Sequence, residues 1–310
     1  MCMWFLDLLT LFILKTFVFF LNILPLGIRE LLVVSIIRAV FALLPAYRRI
    51  AFRNLNLVLP NASRDEHEEI FQKSLRTFGR IFIDLTRIHT LGPDWVRDNV
   101  ECPYLVDYKK IKECNPDKGV LFATGHLGSF EVLAHCVPIY GYPISFIVRS
   151  FRLERVNQWW KSKREVRGNK AIDRKGAVKA TVAELLQGRD VGVLFDQNLT
   201  RNHAVFVNFF GKPAATTKLI GIAAIRTECP IVCASIQYLG NDRYRINALE
   251  VPVQDLYKNT ELSNDEKIII ITERVTAEYE KMILANPGEW FWFHRRWKTT
   301  PEGIEENFYR

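Results

Sequence analysis

The chain has 310 residues, of which 49% are hydrophobic and 25% charged. That balance excludes a disordered chain, which lacks the apolar mass to build a core. The net charge of +8 favours anionic partners without choosing among phospholipid, nucleic acid and acidic protein.

The N-terminus is the first anomaly along the chain. Residues 3–24 are almost wholly apolar, broken by Asp7, Lys15 and a few uncharged polar residues, and Pro25 closes the run. The run is close to the ~20 residues needed to cross a bilayer. It lacks the basic start and small-residue cleavage site of a cleaved signal peptide. A second apolar stretch, residues 31–44, carries Arg38 and ends at Pro45; it is too short to span. Its basic flanks, Arg29, Arg38, Arg48, Arg49 and Arg53, suit a helix lying in the interface with the rest of the chain on the cytoplasmic side. A pair of core helices is the competing reading. The expected organisation is a membrane-anchoring segment over residues 1–45 and one α/β domain over residues 46–310.

After Pro45 the pattern predicts a helix to about residue 59 and a turn at Pro60-Asn61. Ser63-Arg64-Asp65-Glu66 has the form of a capping box and opens a helix to about His89, with Ile70, Leu75, Phe78, Phe82 and Leu85 at helical spacing. From Val100 short apolar runs alternate with helical patterns. Strands are predicted over 119–123, 144–148, 191–195, 205–209 and 231–238, with a further strand, read as antiparallel, over 244–248. Helices are predicted over 128–139, 152–166, 176–187 and 214–227, and a long one over 263–285 stops before Pro287. This alternation defines an α/β fold, a mixed sheet flanked by helices. The six cysteines form no C-x-x-C pair and read as small buried hydrophobes in a reducing compartment. Cys229 and Cys233 stand roughly 13 Å apart on a strand, too far to share a tetrahedral metal.

The chemistry concentrates in Gly119-Val-Leu-Phe-Ala-Thr-Gly-His126-Leu-Gly-Ser-Phe-Glu131, a buried strand running into a glycine-flanked histidine and then a helix. On an unbroken helix a five-residue spacing separates two side chains by ~140°. His126 and Glu131 are expected to meet through a turn at Gly128, which tolerates left-handed dihedrals. An imidazole so placed takes the proton of a hydroxyl attacking a thioester, and a carboxylate on its other nitrogen fixes the tautomer. Backbone N–H groups at Gly125 and Gly128 are candidates for holding the oxyanion. No G-x-S-x-G elbow is present, nor a Walker motif, a G-x-G-x-x-G after a strand, or H-E-x-x-H, so neither cofactor nor metal is expected. Asp196 and Gln197 close another buried strand, where ligand-binding residues of α/β sheets collect; a structural turn is the alternative.

The H-x-x-x-x-E form resembles the H-x-x-x-x-D/E signature of the glycerolipid and lipid A acyltransferase superfamily. The wider match is to its late acyltransferases of lipid A biosynthesis, the lauroyl and myristoyl transferase type. Arg53-Asn-Leu and Pro60…Ser63 resemble their R-N-L…P…S region, and Gly125-His-Leu-Gly-Ser-Phe-Glu131 their G-H-F-G-N-W-E segment. Phe195-Asp-Gln197, Val205-Phe-Val-Asn-Phe-Phe-Gly211 and Ala215-Thr-Thr217 follow in the family's order. Trp290-Phe-Trp-Phe-His-Arg-Arg-Trp-Lys298 is similar to the closing W-x-W-x-H-R-R-W-K. The resemblance implies a glycerolipid acyltransferase-like fold on the cytoplasmic face of a Gram-negative inner membrane. It also implies acyl-acyl carrier protein as donor and a hydroxyl on an acyl chain of a lipid A precursor as acceptor, giving an acyloxyacyl group. Leu127, Ser129 and Phe130 depart from the family's usual Phe, Asn and Trp. Alternatives are transfer to another membrane lipid, such as a glycolipid or aminolipid, thioester hydrolysis, and a non-catalytic lipid-binding protein.

Arg149 matches an arginine in the family's strand after the dyad and is expected to hold an acceptor phosphate or the donor's carbonyl region. Arg167 belongs to a dense basic set, Arg152, Arg155, Lys161, Lys163, Arg164, Arg167 and Lys170, with Trp159 and Trp160 among them. That surface suits an acidic carrier protein or anionic head groups; a plain solvated helix is the alternative. Nucleic acid is set aside because the apolar N-terminus would hold the protein at a membrane. The tryptophan-rich end fits either an interfacial belt or core packing, and His294 and His135 read as structural.

Overall fold

The computed structural model describes residues 2–303 and 308–309, with side chains from residue 4 onward. Four helices lead in: α1 (Cys2–Ile23), α2 (Leu26–Leu43), α3 (Pro45–Val58) and α4 (Arg64–Arg87). Both bonds of the expected capping box start α4, Glu66 N–H to Ser63 Oγ at 3.2 Å and Ser63 N–H to Glu66 Oε2 at 2.6 Å. They satisfy two N–H groups that a helix start leaves free. The α/β part follows as α5 (Pro93–Asn99), β1 (Val100–Glu101), α6 (Leu105–Cys114), β2 (Leu121–Thr124), α7 (Phe130–Cys136), β3 (Ile144–Val148), α8 (Glu154–Arg164), β4 (Lys170–Asp173), α9 (Ala177–Leu186) and β5 (Asp190–Leu194). It continues with β6 (Ala204–Phe209), β7 (Lys212–Thr217), α10 (Leu219–Thr227), β8 (Ile231–Gly240), β9 (Arg243–Val251), α11 (Gln254–Lys258) and α12 (Asn264–Ala285).

Seven strands form one sheet in the order β1-β9-β8-β2-β5-β3-β4, and β6 pairs with β7 in a separate hairpin. Every pair in the large sheet is parallel except β8 with β9, so the expected mixed sheet and antiparallel 244–248 strand are present. One expectation is corrected. Residues 214–217 continue β7, not a helix, and α10 begins only at Leu219. Pro213 and the β-branched Thr216 and Thr217 favour the extended form. The turn at Phe210-Gly211, with φ of 53° and 78°, pins the register against β6.

The core cluster fills the space between the central strands and helices α10 and α12, and Trp290, Trp292 and Trp297 join it at no more than 2% exposure. The tryptophan-rich segment is therefore core, not an interfacial belt. Asn54 ties it down by donating to the carbonyls of Trp292 at 2.7 Å and His294 at 2.9 Å. The cysteine reading is corrected at two positions, Cys114, which is exposed, and Cys102, which is half-buried; Cys136, Cys229 and Cys233 are buried, and all five are free thiols. Cys2 lies outside the described side chains.

The first two helices share this packing. Leu21, Val33 and Ile37 belong to the core cluster, so residue 45 marks a turn and no break in burial. Asp7 accepts hydrogen bonds from the backbone N–H groups of Arg155 at 2.9 Å and Val156 at 3.3 Å, in the first turn of α8. Asn22 donates to the Thr86 carbonyl at 3.0 Å. Residues 4–23 nevertheless form a helix long and apolar enough to cross a membrane. Its far side leaves Phe5, Phe12, Phe17 and Phe20 exposed, and α2 adds Leu31 and Ile36, a patch far larger than solitary surface residues make.

Candidate active site

Strands β2 and β5 are parallel neighbours with Thr124 opposite Leu194. His126 and Asp196 each lie two residues beyond those positions, so the register alone sets them side by side. The Asp196 carboxylate accepts from the His126 backbone N–H at 2.8 Å and bonds the ring Nδ1 at 2.8 Å. It also accepts from the Trp290 indole N–H at 2.9 Å. A carboxylate at Nδ1 assigns the proton to that nitrogen and leaves Nε2 as the acceptor. The Gln197 amide nitrogen, 3.2 Å from Nε2, donates to that lone pair. Asp196 is 2% exposed. Burial alone would raise its pKa, but the imidazole and the bonds from His126 and Trp290 overcome it and bring the carboxyl to about 2.

Glycine is required twice here. A Cβ on Gly125 would collide with the Tyr279 hydroxyl and the Asp196 carboxyl, and one on Gly128 with the Ile236 carbonyl; Gly128 also holds φ +67°. The loop is braced from both sides. Gly128 N–H donates to the Glu289 carbonyl at 3.0 Å and Phe291 N–H to the His126 carbonyl at 3.2 Å. Ser129 Oγ donates to the buried Asp84 at 2.6 Å. The Gly128 N–H is thus engaged by the protein itself, contrary to its expected place in an oxyanion hole. Glu289, beside this loop, has its carboxyl pushed up to about 7 by burial. His294, further along, is pushed down to about 4, again chiefly by burial.

The turn at Gly128 does not bring Glu131 onto the imidazole as expected. Glu131 sits in the first turn of α7 and pairs with Arg164 of α8, Nε to Oε2 at 2.9 Å with a second bond from Nη2. The carboxylate bonded to His126 is Asp196, supplied by the neighbouring strand. Both members of the H-x4-E motif still face one space. They line a cavity of about 360 Å³ with Phe122, Phe130, Leu133, Tyr142, Ile144 and Phe146, and Arg149, Lys163 and Arg164 add charge to its wall. The volume falls within the roughly 300–1,000 Å³ of ordinary ligand pockets. Arg149 is exposed where it joins this lining. Arg167 lies outside the lining, exposed in a turn with φ 53° and 3.4 Å from His135 Nε2.

Arg164 and Trp290 were not singled out from sequence as site residues. Arg164 stood undistinguished in the basic set, and Trp290 in the aromatic run. A buried carboxylate demands donors, and that demand, of Asp196 for Trp290 and of Glu131 for Arg164, is the one signal that could have found them.

A basic nitrogen, held by a buried carboxylate at the wall of an apolar chamber, can deprotonate a nucleophile beside a long apolar group. The comparisons narrow this class. The family described as bacterial lipid A biosynthesis acyltransferase matches residues 5–299, and the chain belongs to it. It is 25% identical over 266 residues to the lipid A biosynthesis palmitoleoyltransferase of Escherichia coli (strain K12), covering 82% of this chain and 79% of that protein. The lipid A biosynthesis myristoyltransferase of the same organism is 23% identical over 256 residues, covering 83% and 76%. The lipid A biosynthesis acyltransferase of Haemophilus influenzae (strain ATCC 51907 / DSM 11121 / KW20 / Rd) is 24% identical over 264 residues, covering 84% and 80%.

Proposed function

We propose that the protein transfers a fatty acyl chain from acyl-acyl carrier protein to a hydroxyl of a lipid A precursor, at the cytoplasmic face of the inner membrane. The observation that carries this reading is the imidazole of His126, bonded to Asp196 through one nitrogen, at the wall of the apolar cavity. The cavity takes the acyl chain. Nε2 of His126 exchanges the Gln197 amide for the acceptor hydroxyl and removes its proton as the oxygen attacks the thioester carbon. Asp196 stabilises the imidazolium that forms. Collapse of the tetrahedral intermediate expels the carrier's thiolate, which takes the proton back from the imidazolium. Glu131 acts in the same site through Arg164, holding the guanidinium in the cavity wall for the anionic donor or acceptor. Arg149 is a further cation of that wall, as is Lys163, and the backbone around Gly125 the remaining candidate for the oxyanion. The apolar faces of α1 and α2 hold the domain at the lipid surface.

The test supplies purified protein with acyl carrier protein thioesters and, separately, a lipid A precursor or a glycerolipid. Mass spectrometry should show one acyl addition to the lipid A precursor and none with His126→Ala. Acylation of the glycerolipid alone would overturn the acceptor, and release of free fatty acid alone would replace transfer with hydrolysis.

A further inference from the structure

Lysine in the middle of an apolar helix is costly in lipid unless something polar receives it. Lys15 stands eight residues after Asp7 and seven before Asn22, which places all three on one side of α1. Asp7 and Asn22 both bond the catalytic domain, so that side faces inward. At Lys15 the helix stands off from the domain and leaves an open cleft of about 610 Å³ between α1, the start of α2, the turn after α4 and α8.

The cleft gathers Lys15, Arg29, Arg87, His89 and Lys163, with Trp159 beside them, and no aspartate or glutamate among its described lining residues. Many enclosed cations of the protein are paired with carboxylates, although the buried Arg296 is held by the Ala215 carbonyl and Thr216 Oγ1 instead. Arg80 and Arg87 share Asp84 and Asp242, Lys112 has Asp190, and Arg164 has Glu131. Among the described residues of the cleft only Arg87 is matched. Arg29 bonds the Asn22 side chain at 2.8 Å and the carbonyls of Asn22 at 3.0 Å and Leu24 at 3.1 Å, with no carboxylate. Lys15 and Lys163 form no ion pair among the described residues. The crowding is felt within the group: burial and then Lys15 lower the pKa of Lys163, and burial and then Lys163 lower that of His89.

Lys15, Arg29 and Lys163 converge from three elements with no carboxylate partner among the described residues, and such a set is completed by a multivalent anion that accepts from several sides. Asn22 and Thr90 complete the polar lining, and Val18, Phe19, Ile23 and Leu26 its apolar part, which runs into the exposed apolar face of α1, so the anion arrives attached to lipid. We propose that this cleft binds the phosphate group of an anionic membrane lipid. It rests on the reading of α1 and α2 as the lipid-facing surface. Lys163 lines both this cleft and the acyl cavity, and the next residue, Arg164, holds Glu131. A bound phosphate would therefore stand beside the reaction chamber, on the acceptor lipid itself or on a bulk phospholipid.

The experiment titrates full-length protein in detergent with a short-chain phosphatidate, a soluble lipid phosphate, by calorimetry. Lys15→Gln/Lys163→Gln should weaken binding at least about tenfold, and Lys15→Arg/Lys163→Arg should restore it to within about threefold. Lys175→Gln/Lys179→Gln, which removes equal charge from exposed positions, should leave it unchanged. Equal loss in both glutamine pairs, or equal binding of short-chain phosphatidylcholine, would overturn the site. Inorganic phosphate binding as tightly as the phosphatidate would overturn its assignment to lipid. Inhibition of acyl transfer competitive with the acceptor identifies the acceptor's own phosphate, and non-competitive inhibition a bulk lipid; either supports the cleft. Wild-type protein that ignores vesicles of any composition yet binds soluble phosphatidate would remove the membrane reading and leave the cation site standing.

Discussion

Asp196 and Glu131 are both buried carboxylates beside one cavity, and they hold different things. Asp196 lies at the end of β5 and bonds an imidazole and an indole; Glu131 lies at the start of α7 and bonds a guanidinium. The contrast teaches that nearness in sequence does not choose the partner of His126. Strand register does, because β2 and β5 run parallel with their ends level, whereas the turn at Gly128 directs Glu131 toward α8.

The sharpest way to break that contrast is Asp196→Asn, which permits the wrong imidazole tautomer. It should lower kcat about 10³–10⁴-fold with little change in KM for the acyl donor, measured by steady-state transfer. Equal activity would end the role given to Asp196. Glu131→Ala should cost about 10²-fold, and because it acts through Arg164, Arg164→Ala should match it and the double variant should be no worse than either. Additive losses would separate the pair. Trp290→Phe removes one of three donors to Asp196 and should cost about tenfold, with the fold intact by circular dichroism.

The last effect is on stability and leaves the chemistry untouched. Burial raises the Glu289 carboxyl from an ordinary value to about 7, so the folded state keeps a proton that the unfolded chain releases. Stability is therefore full below the ordinary carboxylate range, falls as pH rises toward 7, and is flat beyond. Glu289→Gln should gain at most about 3 kcal/mol at pH 8 and nothing at pH 4, read from denaturant melts.

Much of this was legible along the chain. Strand 144–148 appears with the expected bounds, the Ser63 and Ser263 helix starts are both capped, and His126 and Asp196 were each visible as polar residues closing an apolar strand. Their bond was not legible, because it depends on which strands become neighbours across seventy residues of sequence. Residues 214–217 were misread because Ala214-Ala215 suits a helix as well as a strand, and only pairing with β6 decides. The pair Glu131–Arg164 needed the path of α8, and that path depends on α1.

Asp7 accepts the first N–H groups of α8, and at the other end of the same eleven-residue rod is Arg164. Trimming away the greasy leader to obtain a soluble enzyme would thus strip a cap from a wall of the reaction chamber. Such a shortened protein would differ from the full one in chemistry as well as in address.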